Sequence, residues 1–291
     1  MFMLEILKSI IFGIVEGITE WLPISSTGHL ILLQKILPLK VSDEFYTLFE
    51  VVIQFGAILA VVLLFWNKIW PFGKSDNKAP LTSSGAGSWI KKDVFVLWFH
   101  IIVSCVPAAI IGLLFDDWID EHLYSPTTVA VMLIVVGVLF IIVEHFHSGK
   151  KDKIIRVSEI TYTTAFLIGL FQVIAAVLPG TSRSGATIIG ALMIGVSRSV
   201  AAEYTFYLAI PVMFGASLLK GVKYIASGAE MTGTETGVLI AGLLVSFLVS
   251  VFVIRFLMGY IKKHDFTVFG WYRIVLGFIV LICFFAGVFR P

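Results

Sequence analysis

Charge is what this chain has least of. Of its 291 residues, 21 are Lys or Arg and 19 are Asp or Glu, 14% in all, where a soluble domain of this length carries roughly a quarter. Cysteine is nearly absent. Cys105 and Cys283 both lie inside apolar runs, where a free cysteine behaves as a small hydrophobe, so they say nothing about redox compartment. No Cys/His cluster points to zinc, and no Walker-type glycine loop points to a nucleotide. A net charge of +2, without basic patches interleaved with aromatics, argues against a nucleic-acid partner. MFMLEILKSIIFGIVEG lacks a basic start and a small-residue cleavage site, so no cleavable signal peptide is expected.

Hydrophobic residues make up 58% of the chain and the mean hydropathy is +0.99. Several nearly uncharged runs of roughly 20 residues are long enough to cross a hydrocarbon layer about 30 Å thick. The chain therefore reads as an all-α polytopic membrane protein forming a single integral membrane domain over 1–291. Apolar segments fall at about 4–37, 45–66, 94–115, 127–143, 160–195, 200–219, 237–257 and 268–288, the first and fifth interrupted by polar residues.

The connections set the topology. Residues 67–93 hold Lys68, Lys74, Lys78, Lys91 and Lys92 among Gly, Pro and Ser, which predicts a loose cytoplasmic loop. Residues 116–126 carry Asp116, Asp117, Asp120 and Glu121 without Lys or Arg, which fits the outside. Lys150, Lys151, Lys153 and Arg156 place 144–159 inside, and Arg255, Lys262 and Lys263 do the same for the last loop. Segment 160–195 then starts and ends on the inner face, so it enters the membrane, turns and leaves. Residue 45 falls outside, because 45–66 ends at the Lys-rich loop, so segment 4–37 is a second such hairpin if its start is outside too. The expected layout is six spanning helices and two re-entrant helical hairpins.

The hairpins resemble each other. GIVEGITEWLPISSTGHL (13–30) aligns with GLFQVIAAVLPGTSRSGA (169–186) at an offset of 156: Gly13 with Gly169, Glu16 with Gln172, Pro23 with Pro179, Ser25 with Thr181 and Ser26 with Ser182, without a gap. Repeat one runs over about 1–143 and repeat two over about 160–288. Opposite entry makes this an inverted-topology repeat whose broken tips meet near the bilayer midplane. Non-helical backbone at that depth is tolerated only inside protein or beside an aqueous cavity, so the tips should line a site.

In the second tip, Arg183 sits among Gly180, Ser182, Ser184, Gly185 and Thr187 at a helix start. An intramembrane arginine costs roughly 3 kcal/mol on insertion scales and marks function more often than structure. Unsatisfied N–H groups, hydroxyls and a forked guanidinium suit phosphate oxygens. The structural alternative is an arginine that ties the tips together through backbone carbonyls. In the first tip, Glu16 and Glu20 share a helix face, and two carboxylates there need a divalent cation, Arg183 or a shared proton between them. Mg²⁺ would take carboxylate and phosphate oxygens together. Ser25, Ser26, Thr27, Gly28 and His29 complete this tip. Either Ser26 or an activated water is the nucleophile, with His29 a proton donor or base, against the plainer reading of the serines as helix caps. Glu50, Gln54 and Glu203 are polar residues on spanning helices without a ranked role.

EGITEWLPISSTGHL and LPGTSRSGAT together resemble the bacitracin-resistance type of undecaprenyl-diphosphate phosphatase. That family has a Glu-x-x-x-Glu helix running into Pro-x-Ser-Ser-Thr-Gly-His, and a Pro-Gly-x-Ser-Arg-Ser-Gly-x-Thr tip. Here these are Glu16, Glu20, Pro23, Ser25 to His29, and Pro179, Gly180, Ser182 to Gly185 and Thr187. The resemblance implies removal of one phosphate from a C55 polyprenyl diphosphate, leaving the monophosphate carrier for peptidoglycan synthesis, in a bacterial cytoplasmic membrane. It implies a divalent cation, Mg²⁺ or Ca²⁺, at Glu16 and Glu20, and catalysis by Glu20, Ser26, His29 and Arg183. Substrate contacts would fall to Ser25, Thr27, Gly28, Gly180, Ser182, Ser184 and Thr187. It also implies bacitracin resistance, because bacitracin sequesters the diphosphate. Membrane lipids surround the chain, and a homo-oligomer is compatible with the layout.

Two rivals remain. A secondary transporter uses the same inverted repeats but breaks no bond. The phosphatidic-acid-phosphatase type requires Lys-x6-Arg-Pro and Ser-Arg-x5-His. Here Cys283 stands where the lysine should precede Arg290-Pro291, and Ile189 where the histidine should follow Arg183. Carboxylates on the descending first hairpin, against Gln172 and Ala176 on the second, predict an aqueous cleft and a site opening to the outer face.

Overall fold

The computed structural model describes residues 2–74 and 77–287. Val288 and the Arg290-Pro291 pair lie outside the described residues, as do the side chains of Asp116, Asp117 and Asp120. Among the described residues there is no strand. Ten α-helices follow one another: α1 (Phe2–Thr19), α2 (Ser26–Ile36), α3 (Asp43–Ile69), α4 (Lys92–Leu123), α5 (Pro126–His147), α6 (Tyr162–Val177), α7 (Arg183–Met193), α8 (Arg198–Ala226), α9 (Gly233–Tyr260) and α10 (Thr267–Phe285). Six are long and apolar enough to cross a bilayer: α3, α4 over Lys92–Phe115, α5, α8, α9 and α10. The chain is a multi-pass membrane protein. α4 continues to Leu123, so much of the expected outer loop at 116–126 is helix rather than coil.

The boundaries have local causes. Ser42 caps α3 by accepting from Phe45 N at 3.2 Å. Ser125 caps α5, whose first residue is Pro126, preset to a helical φ and without an N–H to leave unpaired. Thr232 and Glu235 close a reciprocal capping box on α9. By contrast, α2 and α7 have 11 residues each, about 16 Å of rise and roughly half the hydrocarbon thickness.

Contacts pair off between the two halves of the chain. α1 packs along α9, and α6 packs along α4, so each broken segment lies against a long helix of the other half. Small residues allow it. A Cβ on Gly13 would stand 2.7 Å from Gly242 O, and one on Gly169 would stand 2.5 Å from Ser104 O. α5 and α10 cross on each other, Gly137 and Gly270 each lying against the other's carbonyl. With no water to drive apolar association in lipid, such close backbone approach is what holds membrane helices together. At the basic end, Glu144 of α5 accepts from Arg198 and from Phe266 N, tying α5, α8 and the loop before α10.

Candidate active site

Two short helices start at the centre of this bundle, and both starts are strained in the same way. Among the described residues the only non-glycine residues with positive φ are Ser25 (φ 73°) and Ser182 (φ 69°), the N-caps of α2 and α7. A serine held there costs on the order of 1–3 kcal/mol and persists only where its surroundings demand it. Each hydroxyl accepts from the backbone N–H three residues on: Gly28 at 3.4 Å and Gly185 at 3.3 Å.

The caps are spaced differently from the prolines before them. Pro23 and Pro179 are 156 apart, but Ser25 and Ser182 are 157 apart, as are the first residues of α2 and α7. Counted from these caps, Ser26 and Arg183 are each the first residue of their helix. The gapless alignment arose because hydroxyl residues stand side by side in both tips.

Those two equivalent residues converge on one carboxylate. Arg183 Nη2 donates to Glu20 Oε1 at 2.9 Å, and Ser26 Oγ donates to Glu20 Oε2 at 2.9 Å. Arg183 Nη1 also donates to Thr205 O at 2.9 Å. Ser184 Oγ reaches Glu20 O at 3.3 Å and Ser182 Oγ at 3.0 Å. The pair of Arg183 and Glu20 is about nine-tenths shielded, with 12% and 11% side-chain exposure. Of the three ways to balance the glutamates, Arg183 is the one realised at Glu20.

Glu16 is different. It is fully buried, and neither carboxylate oxygen has a hydrogen-bond partner. Its counterpart Gln172 is also buried with an unpartnered amide. Among the described residues no three His, Cys, Asp or Glu side chains converge as a metal cluster. The donor set still fits a hard cation, since Mg²⁺ commonly takes one or two carboxylates and completes its shell with water and substrate phosphate.

His29 turns aside from Glu20. Its Nδ1 bonds Ser25 O and its Nε2 bonds Tyr272 Oη, both at 2.7 Å, with the two rings stacked. It forms one wall of a cavity of about 390 Å³ between α1, α2 and α10, lined mostly by apolar residues such as Ile18, Leu22, Ile24 and Phe269. Thr27 is half-buried on the first turn of α2, and Gly28 packs against Leu133 of α5. Two expected ligand contacts have packing roles. Gly180 (φ 90°) sits where a Cβ would lie 2.6 Å from Val129 O. Thr187 is buried, bonded to Arg183 O and Thr205 Oγ1 at 2.9 Å each.

Sequence reasoning missed Arg273. Fully buried on α10, it donates from Nη1 to Pro23 O at 3.1 Å and from Nη2 to Gly180 O and Thr181 O at 2.8 Å each. The arginine that ties the two tips through their carbonyls therefore exists, and it is Arg273, which leaves Arg183 free of that duty. A charge within the last apolar segment was the available signal. A larger cavity, about 530 Å³, lies at the Lys-rich end near Lys68, Lys92, His100 and Glu203, away from all expected site residues.

Residues 9–279 match the family model described as bacitracin resistance protein BacA. A protein of Desulfitobacterium hafniense named undecaprenyl-diphosphatase is 57% identical over 286 residues, 98% of each chain. Undecaprenyl-diphosphatase 1 of Clostridium acetobutylicum is 58% identical over 97% of this chain and 98% of its own. An undecaprenyl-diphosphatase of Enterococcus faecalis is 56% identical over 96% and 97%. This chain belongs to the bacitracin resistance protein BacA family.

Proposed function

We infer that this family member is itself an undecaprenyl-diphosphatase. It hydrolyses a C55 polyprenyl diphosphate to the monophosphate carrier and orthophosphate, which returns the carrier to cell-wall synthesis and counters bacitracin. The observation that carries the chemistry is the cluster in which Arg183 and Ser26, from two capped tips, both engage Glu20 inside a membrane protein.

The reaction follows from that cluster. The terminal phosphate docks at the start of α7, where Arg183 and the hydroxyls of Ser182 and Ser184 receive its oxygens. Ser26 Oγ attacks the terminal phosphorus while its proton passes along the existing hydrogen bond to Glu20. The P–O bond to the bridging oxygen breaks, and the lipid monophosphate leaves with that oxygen, assisted by a proton from His29. Water then attacks the phosphoserine and gives its proton to His29, while Glu20 returns the serine proton to Ser26 Oγ as the P–O bond to Ser26 breaks and orthophosphate is released. Tyr272 fixes the His29 ring. A divalent cation, Mg²⁺ or Ca²⁺, held through Glu16 of the first hairpin would supply positive charge against the diphosphate oxygens. The apolar cavity beside His29 accepts the first isoprene units, leaving the rest of the tail in lipid.

The two broken segments are re-entrant hairpins of an inverted repeat with halves near 1–143 and 160–288. Their short second helices, equal strain at the caps and exchanged packing on α9 and α4 support this. In a bacterial cytoplasmic membrane with the Lys-rich loops inside, the site opens outward. Orthophosphate release from a prenyl diphosphate by detergent-purified protein tests the activity, because a transporter needs no bond cleavage. Sealed right-side-out vesicles test the orientation: they should hydrolyse an added short-chain prenyl diphosphate, and activity only after permeabilisation would reverse it.

A further inference from the structure

α1 and α3 run side by side in the same direction. The link between α2 and α3 returns to the start of α1, where Lys40 N donates to Glu5 Oε2 at 2.9 Å. Deeper in, the Phe12 ring meets those of Tyr46 and Phe49 edge-on, with centroids 6.2 and 5.9 Å apart. α9 marks the same level from the other side. Gly242 lies where a Cβ would touch Phe49 and Ile53, and its carbonyl faces Gly13. Residues four apart share a helix face. One turn beyond Phe12 and Tyr46, that face carries Glu16 on α1 and Glu50 on α3, and Glu50 acts electrostatically on Glu16.

These two carboxylates have unequal company. Glu50 lies beside Tyr46, one turn earlier on α3, and within electrostatic reach of Lys220 on α8. Glu16 is fully buried with both oxygens unpartnered. Glu20, the other neighbour, has one oxygen on Arg183 and the other on Ser26. An unpartnered carboxylate facing a second one in a low-dielectric interior is balanced either by a cation or by a proton.

Deepening the catalytic reading, on which it rests, we propose that Glu16 and Glu50 hold the divalent cation between α1 and α3, with Glu20 outside its coordination shell. Glu20 is then kept for Ser26 and Arg183, and the division of labour assigns metal and base to different glutamates. The remaining coordination positions fall to water and diphosphate oxygens.

Mn²⁺ binding to the full-length detergent-purified protein, followed by electron paramagnetic resonance without substrate, tests this. One Mn²⁺ per chain should bind and be displaced by Mg²⁺. Glu16→Gln and Glu50→Gln should each weaken it by at least about tenfold, the lower end of what losing even an outer partner of a metal ligand costs. Glu20→Gln should leave it little changed. Glu50→Asp, which keeps a carboxylate, should bind with intermediate affinity and covers the case in which the glutamine variant does not fold. Unchanged Mn²⁺ affinity in both Glu50 variants, or no binding by the unmodified protein, overturns the proposal. So does a Glu50→Gln protein that gains thermal stability without cation while its Mn²⁺ affinity stays the same, because the pair then shares a proton. Phosphate release is scored separately: a protein that binds Mn²⁺ through Glu50 yet releases no phosphate keeps the cation site and loses the catalytic reading.

Discussion

Replacing Arg183 by lysine preserves the charge and removes the fork. In the structure the guanidinium spans two acceptors, Thr205 O and Glu20 Oε1, each at 2.9 Å. A single ammonium on a flexible stem cannot hold that pair in the same plane and still offer two parallel donors to a phosphate. The loss is at least one hydrogen bond to a charged group, about 1.5–3 kcal/mol, which corresponds to roughly a 10- to 150-fold fall in kcat/KM at 1.36 kcal/mol per decade. The assay is phosphate release from farnesyl diphosphate in detergent, with the thermal unfolding midpoint measured on the same preparations. Folding should survive, because lysine can still pair with Glu20 and Arg273 holds the tip carbonyls of Pro23, Gly180 and Thr181. A lysine variant that turns over within about threefold of the unmodified protein, well under a kcal/mol, would show that charge alone suffices and would remove the forked phosphate contact from the mechanism.

Arg273→Met should behave in the opposite way: the midpoint falls by the equivalent of at least about 3 kcal/mol as three backbone carbonyls lose their donor, and activity falls with it. An unchanged midpoint would contradict the tip-tying role. Tyr272→Phe leaves His29 Nε2 without its partner and should lower kcat by about tenfold with little change in KM, short of the ~100-fold or more that removing a general acid costs. An unaltered kcat would mean that the His29 ring needs no orienting. Glu16→Gln and Glu20→Gln should both lower activity, Glu20→Gln more, while raising Mg²⁺ partly restores Glu16→Gln only. Restoration of Glu20→Gln by Mg²⁺ would make that side chain a metal ligand rather than a base.

The six spans and the two interrupted segments were legible because lipid imposes a simple length and hydropathy rule on every crossing. The end of α4 was not, since its last turns, around Glu121 and His122, are polar and helical at once. Arg183, Glu20 and Ser26 stood out as polar residues at membrane depth, and the structure brings all three together. The single-residue offset between the tips was hidden by chemistry: Ser25 matches Thr181 or Ser182 equally well as a hydroxyl, and the positive φ at Ser25 and Ser182 is what singles out the second pairing. Arg273 obeys the same cost rule as Arg183, but six residues into its apolar segment it reads as a side chain snorkelling to the interface. Its burial is decided by the carbonyls of Pro23, Gly180 and Thr181, distant in sequence. The His29 contact with Tyr272 is equally non-local.

The central claim is that the terminal phosphorus of a prenyl diphosphate is attacked at the Ser26–Glu20–Arg183 cluster. Hydrolysis of farnesyl diphosphate by the purified protein in ¹⁸O-labelled water reads that bond directly. The account predicts label in the released orthophosphate, unlabelled farnesyl monophosphate as the other product, and neither product from Ser26→Ala. Label in the lipid monophosphate, release of pyrophosphate with farnesol, or full turnover by Ser26→Ala would contradict it.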